Sequence, residues 1–327
     1  MSEPPILAIV GPTASGKSAL AIQFALRWGG EVISADASQV YRGLDVLTGK
    51  LTPAERAGVP HHLLDVVELD EPFDAGAFAR HADAAIAGIR SRGQRVVICG
   101  GTGLYLRALR YGLCLAPPVD PSISAELRAA TSSGDLTIIA DLHRQLAACD
   151  PAAAARIAPR DGQRIERALG VFRSTGRRLS DWQSEHGFQS PRHDIRLIGI
   201  TMTRPLLDLR IRHRVAALFD DPRLQTELSR LALRSADARP RALDAIGYLE
   251  ALSWHAGKMT RTDAIERVII RTRQYAKRQT TWFAGDPTIR WFQTLETAGV
   301  AQSATGVAAS DLDPYIAALW NREGADA

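Results

Sequence analysis

One short segment carries residues whose types and spacing suit phosphate chemistry. In GPTASGKSAL, Gly11 to Leu20, Gly11 and Gly16 bracket four residues, and Lys17 and Ser18 follow at once. The pattern is G-x-x-x-x-G-K-[ST], directly after the apolar run ILAIV (6–10). The glycines let successive N–H groups point inward, and the start of the next helix adds partial positive charge. Lys17 supplies a mobile cation, and the Ser18 hydroxyl suits a Mg²⁺ ligand. Gly11, Pro12, Thr13, Ala14, Ser15, Gly16, Lys17 and Ser18 therefore read as a phosphate cradle. The cradle is silent on where the reaction happens. A kinase, a motor ATPase and an enzyme that only grips a diphosphate leaving group would all begin this way.

Two further segments hold candidates. EVISA (31–35) reads as a second strand, and Asp36 follows it. A carboxylate at the C-terminal end of a strand beside the phosphate loop faces the ligand crevice. It can take a proton from a nucleophile attacking next to the phosphates. That placement also suits a nucleoside kinase, so Asp36 alone does not decide. RVVIC (95–99) reads as a third strand, ending in CGGTGLYLRAL. There Gly100, Gly101 and Gly103 permit close backbone approach, and Thr102 offers a hydroxyl at the same rim.

The elements that position these residues follow from periodicity. Helical segments, the first over Ser18–Trp28, separate the strands, and IRLIGITM (195–202) gives a fourth. Alternation of this kind predicts a P-loop NTPase-like α/β core, a parallel sheet flanked by helices. Roughly a hundred residues between the third and fourth strands are too many for a simple crossover. The gap opens with LAPPVDPS (115–122) and closes with HGFQSPRHD (186–194). We therefore expect an inserted all-helical domain at 116–194, between core parts at 1–115 and 195–327. After the fourth strand the chain is expected to be helical almost to its end.

Charge is concentrated. From Arg156 to Arg214 there are thirteen Arg against six Asp or Glu, although the whole chain is only +4. Such a segment suggests a polyanionic partner. In the insert, Ile165, Ala168, Leu169 and Phe172 form an apolar stripe, and Arg160, Gln163, Arg164 and Arg167 are expected opposite it. A second basic helix spans Arg261–Phe283, where Tyr275, Trp282 and Phe283 interleave with cations, as suits RNA. Trp282 and Phe283 read equally well as core anchors at a helix end.

Composition excludes other classes. With 327 residues, 46% hydrophobic, the chain can bury one large core and an inserted unit. It has no apolar run of about 18 residues to cross a bilayer. MSEPPILAIV lacks the layout of a secretory signal. Cys99, Cys114 and Cys149 lie far apart, which argues against disulfides and zinc and for three buried thiols in a reducing cytoplasm. His61 and His62 in PHHLLD read as structural hydrogen-bonding groups.

Taken in order, GPTASGKSAL, ISADASQVYRGLDVLTGK, PHHLLDV, ICGGTGLYL, DGQRIERALGVF, AIGYLEAL and TRQYAKRQTTWF resemble the bacterial tRNA dimethylallyltransferases over about residues 6 to 292. The resemblance implies transfer of a dimethylallyl group from dimethylallyl diphosphate to the N6 amine of the adenosine 3′ of a tRNA anticodon. It implies Mg²⁺ at Ser18, Asp36 as proton acceptor, Arg210 as catalytic arginine and Thr102 beside the target adenosine. Segments matching tRNA contacts are Asp36, Ala37, Ser38 and Gln39; Gln163, Arg164, Ile165, Glu166 and Arg167; and Ala245, Ile246, Gly247 and Tyr248. The last is Lys277, Arg278, Gln279, Thr280, Thr281, Trp282 and Phe283. A cytoplasmic monomer without membrane attachment is expected. Two positions depart from the family pattern: Ala37 stands for a usual Ser, and Ser124 for a common Arg.

Overall fold

The computed structural model describes residues 3–133, 135–188, 190–234, 240–293 and 309–320. The core opens β1 (Ile6–Val10), α1 (Lys17–Trp28), β2 (Gly30–Ala35), β3 (His61–His62), α2 (Ala75–Ser91), β4 (Arg95–Gly100) and α3 (Gly103–Tyr111). Five helices follow: α4 (Pro121–Ser132), α5 (Leu136–Cys149), α6 (Pro151–Arg156), α7 (Gly162–Thr175) and α8 (Leu179–His186). The chain then forms β5 (Ile195–Thr201), α9 (Arg204–Asp220), α10 (Arg223–Ala232), α11 (Tyr248–His255), α12 (Arg261–Ala284), β6 (Arg290–Gln293) and α13 (Ala309–Trp320).

The six strands make one parallel sheet in the order β3-β2-β4-β1-β5-β6. ILAIV is buried along its whole length, as a strand covered on both faces requires. Two strands escaped the sequence reading. β3 has two residues and β6 four, both at sheet edges, so neither is long enough to show a period. Register pairs Ala35 with Gly100 and Ile9 with Cys99. Asp36, Gly101 and the phosphate loop therefore leave the sheet along the same C-terminal edge.

The chain divides into two compact units, residues 1–110 with 192–327, and Tyr111–Pro191. The expected insert, 116–194, is shifted a few residues toward the C-terminus at both ends. The chain leaves α3 at Tyr111, ahead of the prolines that marked the entry, and Arg192 already donates its N–H to the Arg110 carbonyl (2.7 Å). The helical unit has its own core, in which Ile165, Ala168 and Leu169 of α7 are buried with Leu127, Leu142 and Leu146. Asp161 caps α7 by accepting the Arg164 N–H at 3.1 Å. Arg160 therefore stands in the turn before the helix, not on its face, while Gln163, Arg164 and Arg167 are exposed as expected.

In the first unit, one cluster packs the sheet against α1 and α13, through Leu20, Phe24, Ile198, Leu312 and Ile316. A second packs α9, α10, α11 and α12 under the 44–47 segment, through Leu44, Leu47, Ile211, Val215, Leu228 and Val268. Only Cys99 of the three thiols is fully buried; Cys114 and Cys149 are partly accessible. No helix among the described residues is long and apolar enough to cross a membrane.

Candidate active site

A cavity of about 250 Å³ lies at the C-terminal edge of the sheet, walled by Gly16, Lys17, Ser18, Asp36, Gly101 and Arg214 among others. The phosphate loop forms its floor. Ala14 and Gly16 both have left-handed backbone, with φ of 64° and 89°. For Ala14 that conformation is strained, as is common at functional sites. It turns the loop so that the first N–H groups of α1, which have no intrahelical acceptor, open toward the cavity. Lys17 is 9% exposed and folds back over its own loop. Its ammonium donates to the Pro12 carbonyl at 2.6 Å and to Ser15 Oγ at 3.4 Å.

Burial pushes the Lys17 ammonium down to about 8; Arg214 adds to the shift, while Cys99 and Asp36 oppose it. A group so depressed is charged below that pH and neutral above it. A bound diphosphate restores the charged form. At about pH 8.5, binding of a diphosphate monoester is thus expected to take up on the order of one proton, against close to none at about pH 7. Calorimetry in two buffers of different ionisation heat reads this directly. Equal uptake at both pH values, or uptake retained in Lys17→Met, would assign the proton elsewhere.

The 36–50 segment forms one wall. Asp36 Oδ1 accepts the N–H and hydroxyl of Ser38 at 2.8 and 2.6 Å. Thr102 Oγ1 accepts the Ala37 N–H at 3.2 Å, tying the ends of β2 and β4 together. Gln39 faces the cavity and is held by Ser34 and by the carbonyls of Thr48 and Gly49. Behind this wall, Glu227 accepts the N–H groups of Asp45 and Val46 at 3.1 Å each, and Tyr248 donates to it at 2.5 Å. Burial raises the Glu227 carboxyl and the Tyr248 phenol. Lys50, almost fully enclosed, pairs with Asp45 and Asp65 at 2.6 Å. Sequence reasoning missed this buried scaffold, because polar residues spread from 45 to 248 show no local pattern.

Arg210 requires a correction. It is not among the residues lining this cavity or the next one; Arg214, one turn later on α9, lines both. Arg214 shares a helix face with Leu207, Ile211 and Leu218, which pack into the second core. A cation interrupting that apolar stripe was the available signal. Gly49 makes room for it, since a Cβ there would overlap the guanidinium. Burial lowers the pKa of Arg214, against the opposing pull of Asp36 and Glu55. Lys17, Arg214 and Asp36 thus meet as two cations and one anion, a surplus suited to a bound polyanion.

A second cavity, about 460 Å³, shares Thr13, Asp36, Thr48, Arg214 and Tyr275 with the first. Its rim carries Arg241, Arg271 and Arg278, and its walls include Ala37, Ser38, Ala245 and Ile246. Tyr275, unassigned by the sequence reading beyond its place among cations, sits at the junction. Burial raises its phenol to about 12, aided by Asp36.

The segments matched to tRNA contacts divide by helix periodicity, since a contiguous motif cannot turn every side chain outward. Lys277, Arg278, Thr280 and Thr281 are exposed, and Trp282 is 41% exposed. Gln279 and Phe283 are buried, so Phe283 is the core anchor and Trp282 is the accessible ring. Ile165 and Tyr248 are fully buried, so neither side chain is offered to a partner. Glu166 faces Arg128 at 3.6 Å, and Gly247 packs on Leu47. His61 Nδ1 meets the Val59 carbonyl at 2.8 Å, and His62 meets Glu31 at 2.6 Å.

A phosphate loop between β1 and α1, facing a strand-end carboxylate on a parallel sheet, defines a phosphate-loop α/β protein. Residues 39–286 match the IPP transferase family, and the chain belongs to that family. A tRNA dimethylallyltransferase of Geobacter metallireducens is 45% identical over 288 residues, covering 88% of this chain and 92% of that one. Its counterpart in Anaeromyxobacter sp. is 46% identical over 286 residues, covering 88% and 93%. The solved tRNA isopentenylpyrophosphate transferase of Bacillus halodurans superimposes with a TM-score of 0.68 at 34% identity, over 98% of each chain. A eukaryotic dimethylallyltransferase solved acting on tRNA gives 0.74 at 28% identity, over 98% of this chain and 80% of that one.

Proposed function

We propose that the chain transfers the dimethylallyl group of dimethylallyl diphosphate to the exocyclic N6 amine of the adenosine 3′-adjacent to a tRNA anticodon, releasing diphosphate. The observation that carries this reading is the pair of cavities meeting at Asp36 and Arg214. One has a phosphate cradle and the other a basic rim. A donor held by the cradle and an acceptor base entering from the other side would meet at that junction. The target base is flipped from its stack to reach it.

The allylic C–O bond breaks, its electron pair leaving with the diphosphate, and the amine nitrogen forms the new bond to carbon. Asp36 takes the proton that the amine loses. Lys17, Arg214 and the N–H groups at the head of α1 stabilise the departing charge, and the enclosing walls align the amine. The residues fit Mg²⁺, which retains waters and binds through phosphates with few protein ligands. Ser18 is exposed at the head of α1, and Asp36 is the carboxylate among the residues lining the first cavity. Bound at Ser18, Mg²⁺ would neutralise charge on the leaving diphosphate. Among the described residues no cluster of three or more His, Cys, Asp or Glu offers a metal cage.

The exposed Gln163, Arg164 and Arg167 of the helical unit serve the RNA backbone in this reading, and so, separately, do Lys277 and Arg278 of the first unit. A relative that prenylates free adenine nucleotides would have little use for them. The test is to incubate the protein with dimethylallyl diphosphate and either tRNA or AMP, and to analyse nucleosides by mass spectrometry. Prenylated tRNA with little prenyl-AMP is expected. Equal rates on AMP would replace the tRNA reading, and ATP-dependent phosphorylation of a nucleoside would make the protein a kinase. Replacing Arg164 and Arg167 together by Ala should weaken tRNA binding and lower its salt slope by roughly 1.5; an unchanged slope would remove that pair from the interface.

A further inference from the structure

Gln279 was grouped by its motif with RNA-contacting residues, yet it is 5% exposed and turned toward the phosphate loop. Its Oε1 accepts the Thr13 N–H at 2.7 Å, and its Nε2 donates to the Gly101 carbonyl at 3.1 Å. The fit is tight: a Cβ at Gly101 would overlap the amide nitrogen. A residue on α12 thus spans the limb of the loop opposite the α1 head and fixes it to the end of β4.

The consequence lies in the donors that the loop retains. Pro12 has no N–H. The Ser15 N–H turns back to the Pro12 carbonyl at 3.3 Å. The Thr13 N–H is the outer donor on the limb facing away from α1, and Gln279 takes it. Gly16, Lys17 and Ser18, at the head of α1, line the cavity, and their N–H groups have no intrahelical acceptor. That set, with the Lys17 ammonium, covers two phosphate groups. A third group reaching along the loop as far as the Thr13 N–H meets Gln279 there. It has to displace a buried amide and leave both of its hydrogen bonds unmade.

We propose that Gln279 is a specificity-determining residue that limits the loop to two phosphates, so that a motif widely used for nucleoside triphosphates excludes them here. The inference rests on the reading of the loop as a diphosphate cradle. Its test needs no prenyl transfer. Inorganic diphosphate and inorganic triphosphate, each with Mg²⁺, are titrated calorimetrically into the wild-type protein and into Gln279→Ala and Gln279→Met. The wild type is expected to prefer diphosphate by at least about tenfold. Gln279→Ala, which frees both the donor and the space, should cut that ratio about tenfold by tightening triphosphate. Gln279→Met, which frees the donor but keeps the bulk, should tighten triphosphate less than Gln279→Ala does while changing diphosphate affinity less than about threefold. Thermal melting confirms that each variant folds, and the Met variant, close in volume, remains informative if the Ala variant does not. Wild-type failure to bind diphosphate would overturn the cradle itself. Good diphosphate binding with an unchanged ratio in folded Gln279→Ala, or in Gln279→Met where the Ala variant does not fold, would overturn only the role of Gln279.

Discussion

Asp36→Ala is expected to lower turnover of tRNA prenylation by about two to four orders of magnitude, with tRNA affinity nearly intact. The carboxylate sits where the two cavities join, at the end of β2, with β4 between it and the strand that leads into the cradle. Its Oδ1 is occupied by the Ser38 N–H and hydroxyl, which leaves Oδ2 to take the proton of the attacking amine. Asp36→Asn, which keeps the shape and most of the hydrogen bonding, should lose activity nearly as fully. Single-turnover measurements with saturating tRNA and donor separate this loss from binding. Near-normal turnover in either variant would remove Asp36 from proton transfer.

The second large effect separates two arginines one turn apart. Arg214→Gln should lower kcat by about two to three orders of magnitude, more than it raises the KM for dimethylallyl diphosphate. The leaving group gains charge as the C–O bond breaks, so a cation fixed in an enclosed cavity acts most strongly at that moment. Arg210→Gln should change either constant by less than about threefold, since Arg210 lines neither cavity. Steady-state kinetics on the two variants decides the assignment. The reverse pattern would return the role to Arg210. A rise in KM alone for Arg214→Gln would make it a binding group.

These two residues also show what was legible in the sequence. Asp36 could be placed because a short apolar strand, a phosphate loop and a parallel sheet fix where the next strand ends. Arg214 could not be placed by motif alone, since a block of basic residues on a helix leaves the phase of the buried face open by one turn. The same limit explains Ile165, Tyr248, Gln279 and Phe283. Each lies in a segment matched to RNA contacts, and the helical repeat or core packing takes each one inward. The strands β3 and β6 were missed for want of length. The scaffold of Glu227, Lys50 and Tyr248 was missed because its members meet only once the chain has folded.

The closing helix bears on how the protein is made. α13 lies against α1, where Leu312, Ile316 and Trp320 join the core beside Leu20 and Phe24. The Trp320 indole N–H donates to the Pro5 carbonyl at 3.1 Å, and the ring meets Trp28 edge-on at 5.7 Å. The helix that follows the phosphate loop is therefore covered by a helix translated almost three hundred residues later, and β1 pairs with β5, which is translated almost two hundred residues after it. On the ribosome, the helical unit at 111–191 emerges with its own core complete. The loop at Gly11 must wait. Nascent chains stalled before residue 309 should hold the helical unit folded while the phosphate-binding half remains unfinished, a state in which chaperone capture and proteolysis compete with completion.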